Sequence, residues 1–145
     1  MLVTAAVAAG CGGGSNDSTT ADTAKPAAKQ PATGNVVVKM DEFAFHPNHV
    51  TVAPGAVTIS APNVGKAPHE LVLFQTSMDP GSFPVSGNRI DEEGVTGAKS
   101  VGEIADVGPE LTKRHRFQLK PGKYAMICNV PGHYKAGMYG SLVVK

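Results

Sequence analysis

Seven short segments between Val36 and Lys145 dominate the chain: VVVKM, HVTVA, AVTISA, HELVLFQ, KRHRFQL, KYAMIC and GSLVVK. Each is rich in Val, Ile, Phe or Tyr and each is cut off by Gly, Pro or Asn. Branched and aromatic side chains suit a pleated, half-buried surface, so these runs predict strands joined by turns. Several alternate. From Lys113 to Leu119, His115, Phe117 and Leu119 share one face, and Arg114, Arg116 and Gln118 share the other. Pro54-Gly55 and Pro121-Gly122 mark tight turns, since Pro presets its φ and Gly accepts the positive φ that follows. A chain of 145 residues with 17 Gly, 11 Pro and no Trp accommodates one ordinary domain. The expectation is an all-β fold, a Greek-key β-sandwich or barrel of about seven to eight strands. One stretch breaks the pattern. Thr76 to Pro109 is Gly-, Pro- and Asp-rich with apolar residues only at intervals, and reads as an elaborated loop with one short helix or strand around Val101 to Ile104.

The N-terminal part is of a different kind. Residues 1–11 are small and apolar and end in Cys11, like the end of a bacterial lipoprotein signal whose cysteine carries the lipid. No Lys or Arg precedes the run, which is also short, as expected of a signal truncated at its start, and Ala8 stands where Leu is usual; the alternative is a frayed tail with an incidental cysteine. The run is too short to span a bilayer, which takes about 20 residues. Residues 12–35, made of Ala, Thr, Ser, Lys, Pro and Gly, cannot bury enough surface to offset their ordering entropy and read as a disordered tether to a domain at 36–145. The address implied is extracytoplasmic, in the periplasm or on the outer face of the cytoplasmic membrane, with a lipid anchor. The formal net charge of +1 supplies no sequence-independent attraction to nucleic acid or anionic membrane. A Cys11–Cys128 disulfide would tie the tail to the core, so each cysteine needs its own account.

The chemistry concentrates in CNVPGHYKAGM, Cys128 to Met138, between two of the strands. Thiolate, imidazole and thioether at Cys-x4-His-x4-Met supply three ligands from one loop, a soft set that favours copper over hard cations. Pro131-Gly132 folds the loop back before His133, and Gly137 relieves crowding before Met138. A trigonal centre needs a second histidine. His69 is the best candidate, because it begins the strand HELVLF after the loop NVGKAP, and loops cluster at the ends of β-sandwiches. A Cys–His–His set also suits zinc, and each residue taken singly has an ordinary structural reading.

The elements PHELVLF, LKPGKYAMICNVPGH and GHYKAGMYGSLVV resemble those of cupredoxins, the small blue copper proteins, over residues 35 to 145. The loop spacing is most similar to the rusticyanin and sulfocyanin type, and longer than the Cys-x2-His loop of plastocyanin. The resemblance implies His69, Cys128 and His133 as equatorial copper ligands, Met138 as the weak axial one, and His133 as the electron port. It implies a monomeric single-electron carrier, not an enzyme, cycling Cu(II)/Cu(I) between redox proteins such as c-type cytochromes or membrane electron-transfer complexes. Two features depart from the pattern. Glu70 stands where many cupredoxins place Asn or Ser after the first histidine, and no Tyr flanks Cys128. The rival functions are a copper carrier delivering metal to an oxidase, and an oxidase or nitrite-reducing domain. The enzyme needs a second, open copper for which the remaining histidines are too scattered.

Pro131, Gly132, Tyr134, Ala136 and Tyr139 make a largely apolar set around His133, suited to brief docking of partners. His46 and His49 have a spacing open to a second metal but read as an ordinary surface turn. His115 is expected in the core or at its edge, and the acidic run Asp91-Glu92-Glu93 as solvated.

Overall fold

A computed structural model describes residues 32–145; the Cys11 lipidation, signal and disulfide readings, and the tether up to residue 31, lie outside them. Two sheets face each other. The first orders β1 (Ala32–Val37), β5 (Gly55–Pro62) and β10 (Thr112–Leu119) as β1-β5-β10. The second orders β4 (His49–Val52), β12 (Tyr139–Val144), β11 (Gly122–Ile127), β6 (His69–Thr76) and β9 (Ala98–Val107) as β4-β12-β11-β6-β9. Two small hairpins complete the fold, β2 (Lys39–Asp41) with β3 (Ala44–His46) and β7 (Val85–Ser86) with β8 (Arg89–Ile90). This is the all-β sandwich expected, and among the described residues no helix is long and apolar enough to cross a membrane. All seven segments are strands, although VVVKM divides between β1 and β2, and β1 starts at Ala32, ahead of the boundary expected at Val36.

Alternation decides which side chains meet between the sheets. Val57, Ile59, Phe117 and Leu119 from the first sheet share a buried core with Leu71, Leu73, Met126, Cys128, Met138 and Leu142 from the second sheet and its loop. The Tyr124 hydroxyl donates to the Lys120 carbonyl at 2.8 Å and accepts from the Lys120 N–H at 3.1 Å, closing the Pro121-Gly122 turn on itself.

The stretch from Thr76 to Pro109 corrects the expectation of a loop with one short element. Its second half is β9, ten residues long, paired antiparallel with β6. The register slips twice, between His69 and Leu71 and between Leu73 and Phe74, which breaks the alternation that would have marked the strand. Gly102 sits at φ +135°, and a Cβ there would lie 3.2 Å from the Phe117 ring and 3.6 Å from His115, so its bare backbone lets β9 close against β10. His115 lies at the core edge, exposed, with its ring edge-on to Phe117 at 4.5 Å.

The first half of the stretch covers the outer face of the second sheet. Phe83, Ile90 and Val95 bury themselves there against Val72, Phe74, Ala125 and Ile127, with Tyr134 from the metal loop. That is why β6 and β11 are apolar almost throughout rather than alternating: both of their faces are covered. Phe83→Ala should therefore cost about 3 kcal/mol, the loss for a core aromatic, whereas a solvated loop residue would cost no more than about 0.5 kcal/mol; a denaturant titration of the metal-free protein separates the two.

Candidate metal centre

The start of β6 and the loop that leaves β11 meet at one end of the sandwich. Pairing of Val72 with Ile127 fixes the register of β6 against β11, so the first residue of β6, His69, lies beside the loop that leaves β11. The His69 and His133 Nδ1 atoms are 3.2 Å apart, and the Cys128 Sγ is 3.4 Å from the His133 Nδ1. The ligand atoms of these three residues all lie within 4.8 Å of one another. His69, Cys128 and Met138 are fully buried, and His133 alone reaches the surface, at 8% exposure. Met138 joins them through the backbone: its carbonyl accepts from the Cys128 N–H and its N–H donates to the His133 carbonyl, both at 3.1 Å.

Residues that sequence reasoning passed over hold this end in place. Asn63, buried, donates from Nδ2 to the Ala67 and Val107 carbonyls at 2.8 Å, and its Oδ1 accepts from the Gly65 N–H at 2.9 Å, which shapes the NVGKAP loop that delivers His69. Its signal was an Asn two residues before a Gly, an Asx turn. On the other side, the Asn129 amide accepts from the Ile90 N–H at 2.7 Å and donates to the Ile90 carbonyl at 2.9 Å and to Glu92 at 2.8 Å. The Tyr134 hydroxyl donates to the Pro80 carbonyl at 2.7 Å and accepts from the Phe83 N–H at 2.9 Å. Two buried side chains of the metal loop are thus bolted to the 77–97 segment. The β2–β3 turn lies over the histidines, with Phe43 edge-on to the His133 ring at 4.7 Å and the Glu42 carboxylate 3.5 Å from the His69 Nε2.

Burial sets the protonation of the donors. Burial pushes both histidines below their ordinary value, helped at His133 by His69 and opposed at each by Glu42, so both rings are neutral donors at pH 7. Burial also pushes the Cys128 thiol from 9.0 to about 11, opposed by the backbone N–H groups of Glu70 and Val130. The Glu70 N–H to Cys128 Sγ distance is 3.5 Å, so the residue after His69 contributes through its backbone, while burial, with Glu92 and Glu103 nearby, raises its carboxyl. Two nitrogens and a sulfur gathered within 4.8 Å of one another make a donor set for a single ion.

A family comparison matches residues 32–145 to copper binding proteins of the plastocyanin/azurin family. The chain belongs to that family. It is a cupredoxin, and copper is the metal that suits its thiolate, two imidazoles and thioether. A curated relative, the copper-resistant cuproprotein CopI of Rubrivivax gelatinosus, is 32% identical over 121 residues, covering 82% of this chain and 70% of that protein. Among solved structures, dithionite-reduced auracyanin from Roseiflexus castenholzii aligns with TM-score 0.60 at 20% identity over 77% of this chain and 96% of its own. Auracyanin A, a "blue" copper protein from Chloroflexus aurantiacus, aligns with TM-score 0.56 at 25% identity over 77% and 100%.

Other expectations are corrected or located here. Tyr134 is 5% exposed and cannot be part of an apolar docking patch, because its ring and hydroxyl are committed to the 77–97 segment. Tyr139 packs on Tyr134 with ring centres 5.4 Å apart. His46 and His49 do not share a site: the first contacts Asp41 at 3.1 Å and the second Ser141 at 2.6 Å.

Metal binding and pH are linked through Cys128. Because its thiol carries a proton up to about 11 in the metal-free protein, ligation as thiolate releases that proton, and copper affinity should rise about tenfold per pH unit between roughly pH 7 and 9. The metal-free fold should lose stability as pH rises from 9.0 towards 11, since the unfolded thiol ionises first. The copper-loaded form, with the thiolate already bound, should not. Competition titrations and melts of both forms across this range check the pair.

Proposed function

We propose that this cupredoxin is a single-electron carrier whose copper would be held by His69, Cys128, His133 and Met138. The observation that carries the reading is the convergence of three donors in a prefolded, closed site, with only His133 at the surface. Bound copper supplies a Cu(II)/Cu(I) couple that accepts one electron from a reduced donor and yields it to an oxidised acceptor. The protein's part is to hold the donors still. Asn63 fixes the approach to His69, Asn129 and Tyr134 pin the metal loop, and the Glu70 N–H steadies the sulfur. An arrangement that does not rebuild itself between the two oxidation states keeps the cost of transfer small.

Partners of this kind, c-type cytochromes or membrane electron-transfer complexes, would meet the chain at His133. The exposed side chains around it are Phe43, at 41% exposure and edge-on to the ring, with Pro131 and Ala136 of the metal loop. The apolar run ending in Cys11 supports an extracytoplasmic, lipid-anchored address.

A second reading, handling of copper itself in resistance or delivery, draws on the likeness to a copper-resistant cuproprotein. Three ligands without exposure argue for retention over exchange. An absorption spectrum of the copper-loaded protein discriminates: electron carriage expects an intense visible band that bleaches with ascorbate and returns on reoxidation, whereas delivery expects rapid loss of Cu(I) to a weak chelator without a reversible blue state. The docking face is tested with Phe43→Glu, which should slow electron exchange with a cytochrome about tenfold or more, as expected for a charge placed in a small apolar contact, and leave the spectrum in place.

A further inference from the structure

We propose that Glu42 is a positioning residue for His69, its carboxylate orienting the ring and biasing the copper towards Cu(II). The inference rests on the copper reading above. Among the described residues, the His69 Nε2 is the one buried side-chain nitrogen or oxygen without a hydrogen-bond partner. The Glu42 Oε1 stands 3.5 Å from it, longer than a formed hydrogen bond. The same oxygen accepts from the backbone N–H groups of Lys66 and Ala67, at 2.5 and 2.6 Å, so it is held from the very loop that delivers His69. Room for it comes from Gly65, where a Cβ would lie 2.5 Å from the Oε1 and 2.8 Å from the Oε2 of Glu42.

The chemistry follows from the two ends of the ring. With Nδ1 facing Cys128 and His133, its lone pair serves the metal only if the proton sits on Nε2, where the carboxylate selects it. An imidazole bound to a cation at Nδ1 is a stronger donor at Nε2, and it gains more from an anionic acceptor when the cation carries the higher charge. The carboxylate thus favours the oxidised ion. A third of the Glu42 side chain is exposed, so water moderates the effect without removing it.

A purely structural role is the competitor, since Glu42 also clasps the 63–68 loop. Glu42→Gln separates the two: it retains an oxygen for the Lys66 and Ala67 N–H groups and removes the charge. In the copper-loaded protein, E42Q should lower the Cu(II)-to-Cu(I) affinity ratio by about tenfold, read as a rise of ~59 mV in a one-electron potential. An E42Q protein that remains blue with the wild-type potential overturns the proposal and leaves Glu42 a loop clasp. A readout independent of copper and of the variant's folding is nitrogen NMR of the metal-free wild type. A His69 proton on Nε2 supports the pairing; a proton on Nδ1 overturns it. A wild-type chain that forms no blue centre would sink the copper reading instead, and the tautomer would still decide whether Glu42 orients the ring.

Discussion

The register between β6 and β11 is the constraint on which the metal centre depends. Val72 opposite Ile127 sets the first residue of β6 beside the exit of β11, and so brings together residues 64 positions apart in the chain. Side chains on a strand alternate with period two, so a slip of one residue would turn His69 away from Cys128 and His133. What holds the register is burial on both faces: the main core on one side, and Phe83, Ile90 and Val95 with their neighbours on the other. The segment between Thr76 and Ala98 therefore serves the metal from a distance. It makes β6 and β11 central in two directions and gives the metal loop a fixed surface to lean on.

Retention of the ligand geometry is distributed over polar groups that are buried and satisfied. Asn63, Asn129 and Tyr134 each make at least two hydrogen bonds to backbone, and each links segments distant in sequence. Fully satisfied buried networks of this sort stiffen the structure around them, whereas a half-satisfied one would be costly. The exception is at His69, whose outward nitrogen has no hydrogen bond.

How much could be read in advance follows the range of the interactions. The strands that alternate or run apolar were legible, because their pattern is local, and so was the metal loop, which brings three donors within eleven consecutive residues. β9 was not. Its burial runs without alternation and its register slips twice, once at Gly102 and once between Ile104 and Val107, so neither period nor composition marks its full length. Glu42, Phe43, Asn63 and Asn129 escaped for a different reason: each acts on residues brought to it by the fold, as Glu42 does on Ala67 and Asn129 on Ile90. Tyr134 was misplaced on the surface because its neighbour His133 is there, while the groups that bury it, Phe83 and Pro80, come from a segment with no local signal. His69 lies between these cases. Its place at the start of a strand was visible, but its company depends on the pairing of β6.

The parallel pairing of β1 with β5 gives the domain a polarity. Ala32 lies opposite Ala56, at the start of β5, while the far end of that strand runs into Asn63 and the loop that carries His69. Seven residues of strand at ~3.3 Å each separate the two, roughly 23 Å. Ala32 thus lies at the end of the sandwich opposite the copper ligands. The ligands and this first described residue are the two poles of one sandwich, with the length of β5 between them.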